Sequence, residues 1–431
     1  MGDAEGIWEL YGLRTNPFLT APLLVRGGLL PIDCFVGREK ELNRLTKLFG
    51  TSGGSRILVC GDVGVGKTSL VNYARNKAIQ KGQFTPFKEI AVQGNWTPSD
   101  FVLNTLYAIH STIKLQKNRV LDAPLAEKLR GLVELPDTTT AVSGISVAGI
   151  GMTVERAARG AHTYSAMALM DFFQEVLANI RKKTGRDVIL HYNNLENLSE
   201  TALRSIFDDL RDALQTENTH FVFVGNYDVH STFQSMPRIA SIMTDTPIIL
   251  EQFTIGEIER VLEIRMRQLR ISDKINYITP YRKEALAKLY EIYGGNIRNI
   301  LNSISTAVIE ATGEKPVNLD EATLARTLAG IVESRYIQSV PRREKDILLE
   351  AVKHLEVTNQ HLSRQTGIAR PNISHYTADL QKRGCMYLRR KDGKDKYWSV
   401  EPRIKWLLLK EDNKTKEKEK KHRKSASEKA R

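Results

Sequence analysis

Short apolar runs alternate, over the first 250 residues, with longer segments whose apolar positions recur at helical spacing. A bounded apolar run of about four to eight residues is typical of a buried strand, and a 3.6-residue period is typical of a helix. The predicted strands are residues 56–60, 89–92, 187–192, 221–225 and 247–250. The predicted helices between them include residues 98–115 and 164–182. This alternation predicts an α/β fold, with one parallel sheet and helices on both faces.

The pattern changes after residue 254. Residues 254–329 are helical by period, with Gly294 and Gly295 at a helix boundary. Three amphipathic helical segments and a two-stranded hairpin follow. They span residues 341–352, 358–368, 369–384 and 386–400, and the hairpin turns at Lys391-Asp392-Gly393-Lys394. The sequence therefore predicts a helical segment and then a small module of three helices and a hairpin.

Residues 137–163 interrupt the alternation with glycines, small residues and alternating β-branched positions. This composition predicts a two-stranded excursion or a mobile loop rather than a core element. Arg156, Arg159 and His162 lie at its end. Two interpretations stay open: an insertion that contacts DNA or a partner, and a disordered surface loop.

Positive charge is concentrated at the C-terminal end of the chain. The 431 residues carry a formal net charge of +13. Residues 1–340 hold 38 Lys and Arg against 37 Asp and Glu, whereas residues 341–431 hold 25 against 13, a net charge of +12. Residues 411–431 account for only +4 of this, and their lack of apolar positions predicts a disordered tail. The remaining +8 lies on the predicted folded module and favours a polyanionic partner, with nucleic acid as the main interpretation and a solubilising role as the alternative.

Composition narrows the class of protein further. No apolar run approaches the ~18 residues that a membrane-spanning helix needs, and the N-terminus has no signal-peptide pattern. Three distant cysteines predict neither a disulfide framework nor a zinc cluster, which favours a reducing cytoplasm. The nine histidines are scattered, so the sequence predicts no metal site beyond Mg²⁺.

The residues from Gly61 to Thr68 form the strongest chemical motif. Their sequence, GDVGVGKT, fits the pattern G-x-x-x-x-G-K-[ST], and it stands between a predicted strand and a predicted helix. In such a loop the glycines turn backbone N–H groups towards phosphates, and the helix N-terminus adds partial positive charge. The predicted nucleotide ligands are Gly61, Gly64, Gly66, Lys67, Thr68 and Ser69. Lys67 would reach the β/γ oxygens and Thr68 would bind Mg²⁺, so the motif predicts ATP and Mg²⁺ as cofactors.

The segment that precedes this loop, Phe35-Val36-Gly37-Arg38-Glu39-Lys40-Glu41-Leu42, resembles the box before the nucleotide site of AAA+ ATPases of the initiator and helicase-loader type. The likeness extends over residues 30–400, and the C-terminal module resembles a winged helix-turn-helix domain. The resemblance implies an AAA+ domain at 31–253, a helical lid at 254–337 and a winged helix at 338–409. Residues 1–30 would be an N-terminal arm and residues 410–431 a disordered basic tail. It also implies a prokaryotic, cytoplasmic, nucleoid-associated protein that forms homo-oligomers or binds a partner protein.

The resemblance breaks at two positions. AAA+ ATPases have Asp-Glu at the end of the strand that aligns with residues 188–192, and here Asn193 and Asn194 follow that strand. An amide can accept a hydrogen bond, but it cannot take a proton at neutral pH or offset the charge of Mg²⁺. Glu196 lies two residues further on, where we expect its side chain to point elsewhere. The sequence therefore predicts ATP binding with slow or absent hydrolysis.

Three further positions match the family pattern. Asn226 would act as sensor 1 near the γ-phosphate, Arg298 as the sensor 2 arginine of the lid, and Arg238 as an arginine finger in an oligomer. The alternatives are a turn residue for Asn226, a solvated helix face for Arg298 and an ordinary surface arginine for Arg238.

In a winged helix the early residues of the third helix face DNA bases, and the wing meets phosphates or the minor groove. The predicted base-facing residues are Arg370, Asn372, Ser374 and His375. The predicted wing contacts are Arg389, Arg390, Lys391, Lys394 and Lys396. A winged helix that contacts proteins is the alternative.

Two functions follow from these predictions. The first is an ATP-dependent DNA-binding switch of the initiator or helicase-loader type. The second is a nucleotide-gated regulator of transcription, transposition or defence, in which ATP controls the oligomeric state. Turnover of ATP on DNA would favour the first, and tight ATP binding without turnover at one preferred operator would favour the second.

Overall fold

The computed structural model describes residues 6–116, 120–134, 166–244, 246–392 and 394–410. The predicted insertion at 137–163 and the predicted tail after residue 410 lie outside the described residues. Contacts divide the chain into two compact units. One unit is Leu19–Leu269, and the other joins the described residues up to Phe18 to those from Arg270 onward.

The Leu19–Leu269 unit is built on a five-stranded sheet. Its strands are β1 (Arg56–Gly61), β2 (Ile90–Ala91), β3 (Val188–Asn193), β4 (Thr219–Gly225) and β5 (Ile248–Leu250). Their order is β2-β3-β4-β1-β5, and every neighbouring pair is parallel. The predicted parallel α/β sheet is thereby confirmed. The order places β1 between β4 and β5, so the loop after β1 opens between the ends of these two strands.

Helices cover both faces of this sheet. They are α1 (Glu39–Leu48), α2 (Lys67–Gln80), α3 (Pro98–Gln116), α4 (Ala123–Val133), α5 (Ala166–Thr184), α6 (Glu200–Leu210), α7 (Tyr227–Gln234), α8 (Pro237–Ala240) and α9 (Ile255–Gln268). Because successive strand side chains point to opposite faces, β1 sends Ile57 and Val59 into one core and Leu58 and Cys60 into another. Both faces are therefore buried, which is why β1 reads as a continuous apolar run rather than an alternating one.

The second unit begins with three helices, α10 (Lys283–Tyr293), α11 (Ile297–Ala311) and α12 (Glu321–Val332). The periodicity of 254–329 is thus broken into separate helices, since residues 269–282 and 312–320 are not helical. Residues 6–18 pack within this unit, because Tyr11 and Leu13 are fully buried and the Tyr11 hydroxyl lies 2.6 Å from that of Thr312.

The rest of this unit contains α13 (Arg342–Ala351), β6 (Val357–Thr358), α14 (Asn359–Thr366), α15 (Arg370–Lys382), β7 (Met386–Asp392) and β8 (Asp395–Val400). Residues 402–410 are also helical. The three strands form an antiparallel sheet in the order β6-β8-β7. One apolar core, which includes Ile347, Leu362, Ile373 and Trp398, joins the three helices to the sheet.

Within the described part of the chain, no helix has the length and apolarity required to cross a membrane.

Candidate functional site

The glycine-rich loop connects the end of β1 to the start of α2. Gly61 has a φ of 150°, and a Cβ at this position would lie 2.4 Å from the backbone oxygen of Leu250. A side chain at residue 61 would therefore force β1 and β5 apart. Gly64 and Gly66 both have a φ of 91°, which glycine adopts with little strain. The loop consequently needs glycine at these positions for backbone reasons alone.

The side chain of Lys67 lies back over this loop. Its Nζ donates hydrogen bonds to the backbone oxygens of Gly61 and Asp62, each at 2.8 Å. The residue is buried despite its charge. A buried ammonium is stable only where polar partners replace its water, and here the loop carbonyls do so. The cation is thus held at the loop that the sequence predicts to bind phosphates.

The N-terminus of α2 faces the same loop. Its N-cap residue is Gly66, which has no side chain to bind the first-turn N–H groups. Ser69 does not turn its hydroxyl into the loop, because its Oγ accepts a hydrogen bond from the backbone N–H of Leu23. Asn72 fixes the same segment by donating to the backbone oxygen of Leu23 at 3.0 Å. Any contribution of Ser69 to phosphate binding would therefore come from its backbone.

Thr68 and Asn193 meet at the edge of the sheet. The Thr68 hydroxyl donates to Oδ1 of Asn193 at 3.1 Å. Asn193 is the last residue of β3, and Asn194 turns the chain out of the strand with a φ of 63°. The structure therefore brings Asn193 to the residue that the sequence predicts as the Mg²⁺ ligand. Both facing oxygens are neutral, so this position offers ligands without charge compensation.

Glu196 is the next acidic residue after these two asparagines. It lies on a short 3₁₀ turn, Leu195–Asn197, that packs against β4 and α7. Its Oε2 atom is buried and has no hydrogen-bond partner among the described residues. A buried carboxylate oxygen without a partner is costly, and nothing in the sequence pattern around Glu196 predicts this burial.

Asn226 follows β4 and acts as the N-cap of α7. Its Oδ1 accepts from the backbone N–H of Val229, and its Nδ2 donates to Asp228, both at 3.1 Å. These contacts fit the alternative in which Asn226 is a structural turn residue. The register that pairs Gly225 with Cys60 still places it at the loop edge of the sheet. Its role as a sensor stays a prediction.

The two predicted arginines are both exposed. Arg238 lies on α8 in the Leu19–Leu269 unit, and Arg298 lies in the first turn of α11 in the other unit. Their predicted roles as finger and sensor stay predictions.

The segment at 35–38, which precedes the glycine-rich loop in sequence, is held by aromatic and cationic contacts. The rings of Phe35 and Tyr73 stack with centroids 4.6 Å apart. Arg38 adopts a left-handed φ of 59°, lies 4.1 Å from the ring centroid of Phe253 and donates to the backbone oxygen of Glu251. These contacts fasten the segment at 35–38 to α2 and to the end of β5. In the sequence, the one sign of these contacts is Arg38, which stands directly before the helical pattern of α1.

A buried polar network is centred on Arg75 of α2. Arg75 is fully buried, and its guanidinium donates to Asn72 Oδ1 at 2.7 Å and to Thr85 Oγ1 at 2.9 Å. Desolvation lowers the pKa of Arg75 to about 10. Burial, reinforced by the charge of Arg75, holds the pKa of His191 well below its ordinary value. His191 is therefore neutral in the folded protein, two residues before Asn193.

The predicted base-facing residues lie on the exposed side of α15. Arg370, Asn372, Ser374 and His375 are all exposed, while Ile373, Thr377 and Leu380 are buried on the opposite side. Three of them have partners. Ser374 Oγ accepts from Asn359 Nδ2 at 2.9 Å, His375 lies 3.2 Å from Asp379, and Arg370 Nη2 lies 3.5 Å from Oδ1 of Asp395 on β8.

The predicted wing residues differ in their environment. Lys394 and Lys396 are exposed. Arg390 instead pairs with Glu356, with Nη2 2.5 Å from Oε1, and stacks on the Tyr397 ring at 3.5 Å. Arg389 lies 3.7 Å from the same carboxylate. The side chain of Lys391 is outside the described residues. Glu356 therefore neutralises part of the charge that the sequence assigns to the wing.

Comparison with known proteins adds two findings. Residues 34–224 match the family described as the AAA ATPase domain. A search of curated proteins found no match to the chain.

Among solved structures, the chain is similar to the ORC1 protein of Aeropyrum pernix in complex with DNA. The identity is 13%, the coverage is 93% of this chain and 97% of that one, and the TM-score is 0.47. It is also similar to the ORC2 protein of the same organism in ADPNP–ADP complexes, with 13% identity, 92% and 96% coverage and a TM-score of 0.48. Cdc6p from Pyrobaculum aerophilum is 15% identical, with 93% and 99% coverage and a TM-score of 0.45.

The family match spans β1 to β4, and therefore includes both the glycine-rich loop and the strand that ends at Asn193. Helices cover both faces of the parallel sheet, and the loop opens at the end of β1, between β4 and β5. Residues 34–224 match an AAA ATPase domain, and the five-stranded parallel sheet with its helices is like the P-loop AAA+ fold.

Proposed function

We propose that this protein is an ATP-binding, duplex-DNA-binding switch of the initiator type, in which ATP occupancy rather than rapid hydrolysis controls DNA binding. The observation that carries the proposal is the position of Lys67 over the loop between Gly61 and Gly66. It combines a cation, glycine backbone and a helix N-terminus at one point.

The residues present fit a triphosphate. Gly61 leaves no room for a side chain against Leu250, and Gly66 leaves the first turn of α2 without a side-chain cap. Phosphate oxygens would take up the N–H groups at this helix end and the ammonium of Lys67. Thr68 and Asn193 would supply neutral oxygen ligands to Mg²⁺, which prefers oxygen. When bound, Mg²⁺ would neutralise phosphate charge.

Slow hydrolysis follows from the same geometry. Asn193 occupies the position beside Thr68, and Asn194 follows it at the strand end. Neither amide can accept a proton from an attacking water at neutral pH. The protein would therefore remain in its ATP state for long periods unless another subunit or partner supplies a base.

DNA binding is proposed from the C-terminal module. Its order of helices and antiparallel strands supports a winged helix, and the exposed side of α15 carries Arg370 and Asn372. Arginine and asparagine are side chains that read guanine and adenine edges in the major groove. Lys394 and Lys396 would contact phosphates.

The test measures DNA affinity against salt concentration in the presence of ATP, ADP and no nucleotide, with phosphate release followed in parallel. We expect affinity to fall with salt and to depend on the nucleotide. A chain that retains no ATP, or that binds DNA independently of salt, would overturn the proposal.

A second candidate is a nucleotide-gated regulator without turnover. The two asparagines at the end of β3 favour it, because they remove both carboxylates at once. Tight ATP binding, no phosphate release on any DNA, and a single preferred operator would distinguish it from an initiator-like switch.

A further inference from the structure

Three side chains with metal-ligating atoms converge in the C-terminal module. Glu350 lies on α13, His354 lies in the turn that follows this helix, and His361 lies on α14. One ligand atom of each lies within 4.8 Å of the other two. The sequence predicts no metal site beyond Mg²⁺, because only the fold brings His361 back across an intervening turn and strand.

The distances between these atoms form a nearly regular triangle. His354 Nε2 lies 3.2 Å from His361 Nε2 and 3.3 Å from Glu350 Oε1, and His361 Nε2 lies 3.9 Å from the same oxygen. Zinc binds such nitrogen and oxygen ligands at about 2.0–2.2 Å in a tetrahedron, which separates neighbouring ligand atoms by roughly 3.3–3.6 Å. The three measured edges bracket this value.

Hydrogen bonds alone explain only part of this arrangement of Glu350, His354 and His361. The two shorter edges have hydrogen-bond lengths, but the edge of 3.9 Å does not. The three atoms nevertheless all lie within 4.8 Å of one another, and the two imidazole rings meet edge to face with centroids 4.5 Å apart. A shared ion at the centre would satisfy the three atoms together.

Neighbouring groups hold the cluster in position. Lys353 Nζ donates to Glu350 Oε2 at 2.7 Å, which leaves Oε1 facing the histidines. Lys405 Nζ donates to the backbone oxygen of His354 at 2.7 Å, and Thr358 caps the helix that carries His361. Supporting contacts of this kind orient metal ligands.

We propose that Glu350 Oε1, His354 Nε2 and His361 Nε2 bind a Zn²⁺ ion that ties the end of α13 to α14. Two imidazoles and one carboxylate select zinc or a similar transition ion over Mg²⁺ and Ca²⁺, which prefer oxygen ligands. The histidine side chains are 38% and 37% exposed, against 16% for Glu350. The fourth ligand is therefore water or a group that approaches from solvent.

The test uses the full chain without nucleotide, after EDTA treatment and its removal. Zn²⁺ is titrated against a chromophoric chelator, and Co²⁺ is titrated with visible absorption spectroscopy. We expect one Zn²⁺ per chain, a four-coordinate Co²⁺ spectrum and a higher thermal midpoint with Zn²⁺. His354→Ala and His361→Gln should each weaken Zn²⁺ binding by at least about 10-fold, the lower bound for groups that only support a ligand.

His110→Ala is the matched control, because His110 lies 3.9 Å from Glu134 in a histidine–carboxylate pair of the other unit. We expect it to bind Zn²⁺ as the unaltered chain does. Circular dichroism in EDTA checks that each variant is folded. If the unaltered chain gives no four-coordinate Co²⁺ spectrum, or if His361→Gln retains full Zn²⁺ affinity, the proposal is overturned.

Discussion

The hydroxyl of Thr68 donates a hydrogen bond to Oδ1 of Asn193 at 3.1 Å, across 125 positions of sequence. This contact joins the loop before α2 to the end of β3. It places a neutral amide where a carboxylate would both hold Mg²⁺ and raise the negative charge of the site. In the proposed Mg²⁺ site, the two oxygens that face each other are therefore neutral.

Restoring the two carboxylates should raise ATP hydrolysis. The double variant Asn193→Asp with Asn194→Glu supplies a charged Mg²⁺ ligand and a general base, which typically contributes about 10²–10⁴ in rate. We expect phosphate release to increase at least about 10-fold at saturating ATP. Asn43→Asp, an exposed change on α1, is the control.

No gain in rate with ATP still bound would show that other catalytic groups are missing. A lower residual rate in Glu196→Gln would instead assign the base to Glu196, whose Oε2 is buried without a partner among the described residues.

Replacing Lys67 should abolish nucleotide binding. Lys67→Ala removes the cation that lies over the loop. The loss of even one charge-assisted hydrogen bond to a phosphate costs about 1.5–3 kcal/mol of binding free energy. Equilibrium binding of a fluorescent ATP analogue measures the effect. Lys81→Ala, at the other end of α2, should bind ATP normally. Unchanged ATP affinity in Lys67→Ala contradicts the assignment of the site.

Removing wing lysines should reduce the salt dependence of DNA binding. Each phosphate contact contributes about 0.9 to the slope of log affinity against log salt, so Lys394→Ala with Lys396→Ala should lower the slope by about 2. Fluorescence anisotropy with a duplex at several salt concentrations gives this slope. Lys274→Ala with Lys315→Ala, two exposed changes outside the module, is the charge-matched control. A slope equal to that of the unaltered chain would remove these lysines from the interface.

Neutralising Glu356 should strengthen DNA binding. Glu356 pairs with Arg390 and lies near Arg389, so Glu356→Gln removes the carboxylate from both guanidinium groups and raises the net charge by one. We expect affinity for duplex DNA to rise and the salt slope to steepen. The control is Glu314→Gln, which makes the same change of charge at an exposed position outside the module. Weaker binding by Glu356→Gln would show that the pair is needed to shape the wing.

Low pH should destabilise the Leu19–Leu269 unit through His191. Its pKa in the folded state is well below its ordinary value, because it is buried beside Arg75. The unfolded state then binds more protons, so stability falls as pH drops below about 6.5, by up to about 1.4 kcal/mol per pH unit for one proton. His191→Asn should flatten this dependence in urea unfolding between pH 7.5 and 5. Burial also lowers the pKa of His220, so this variant would keep part of the pH dependence through His220.

The comparable change His230→Asn, on α7, should leave the pH dependence of urea unfolding as it is. An equal slope in His191→Asn and the unaltered chain would show that His191 is not the titrating group.

Much of the Leu19–Leu269 unit could be predicted, because the sequence signals for its elements are local. Residues 57–60 are apolar without interruption, and the structure buries them on both faces of the sheet. The loop from Gly61 to Thr68 has glycine where the backbone turns to positive φ. Boundaries shifted by one or two residues, as at β3, which extends to Asn193 rather than ending at Tyr192. Hydrogen-bond pairing decides where a strand ends, and periodicity does not record it.

The sequence by itself determined the parallel α/β class, the glycine-rich loop and the excess of charge near the C-terminus. These depend on the spacing of residue types and on backbone preferences that act over a few positions. The tertiary structure alone decided that Thr68 meets Asn193, that Arg75 lies against His191, that Glu356 binds Arg390 and that His361 joins Glu350 and His354. Such pairs form only when packing brings distant segments together, and the amino-acid pattern of either segment does not identify its partner.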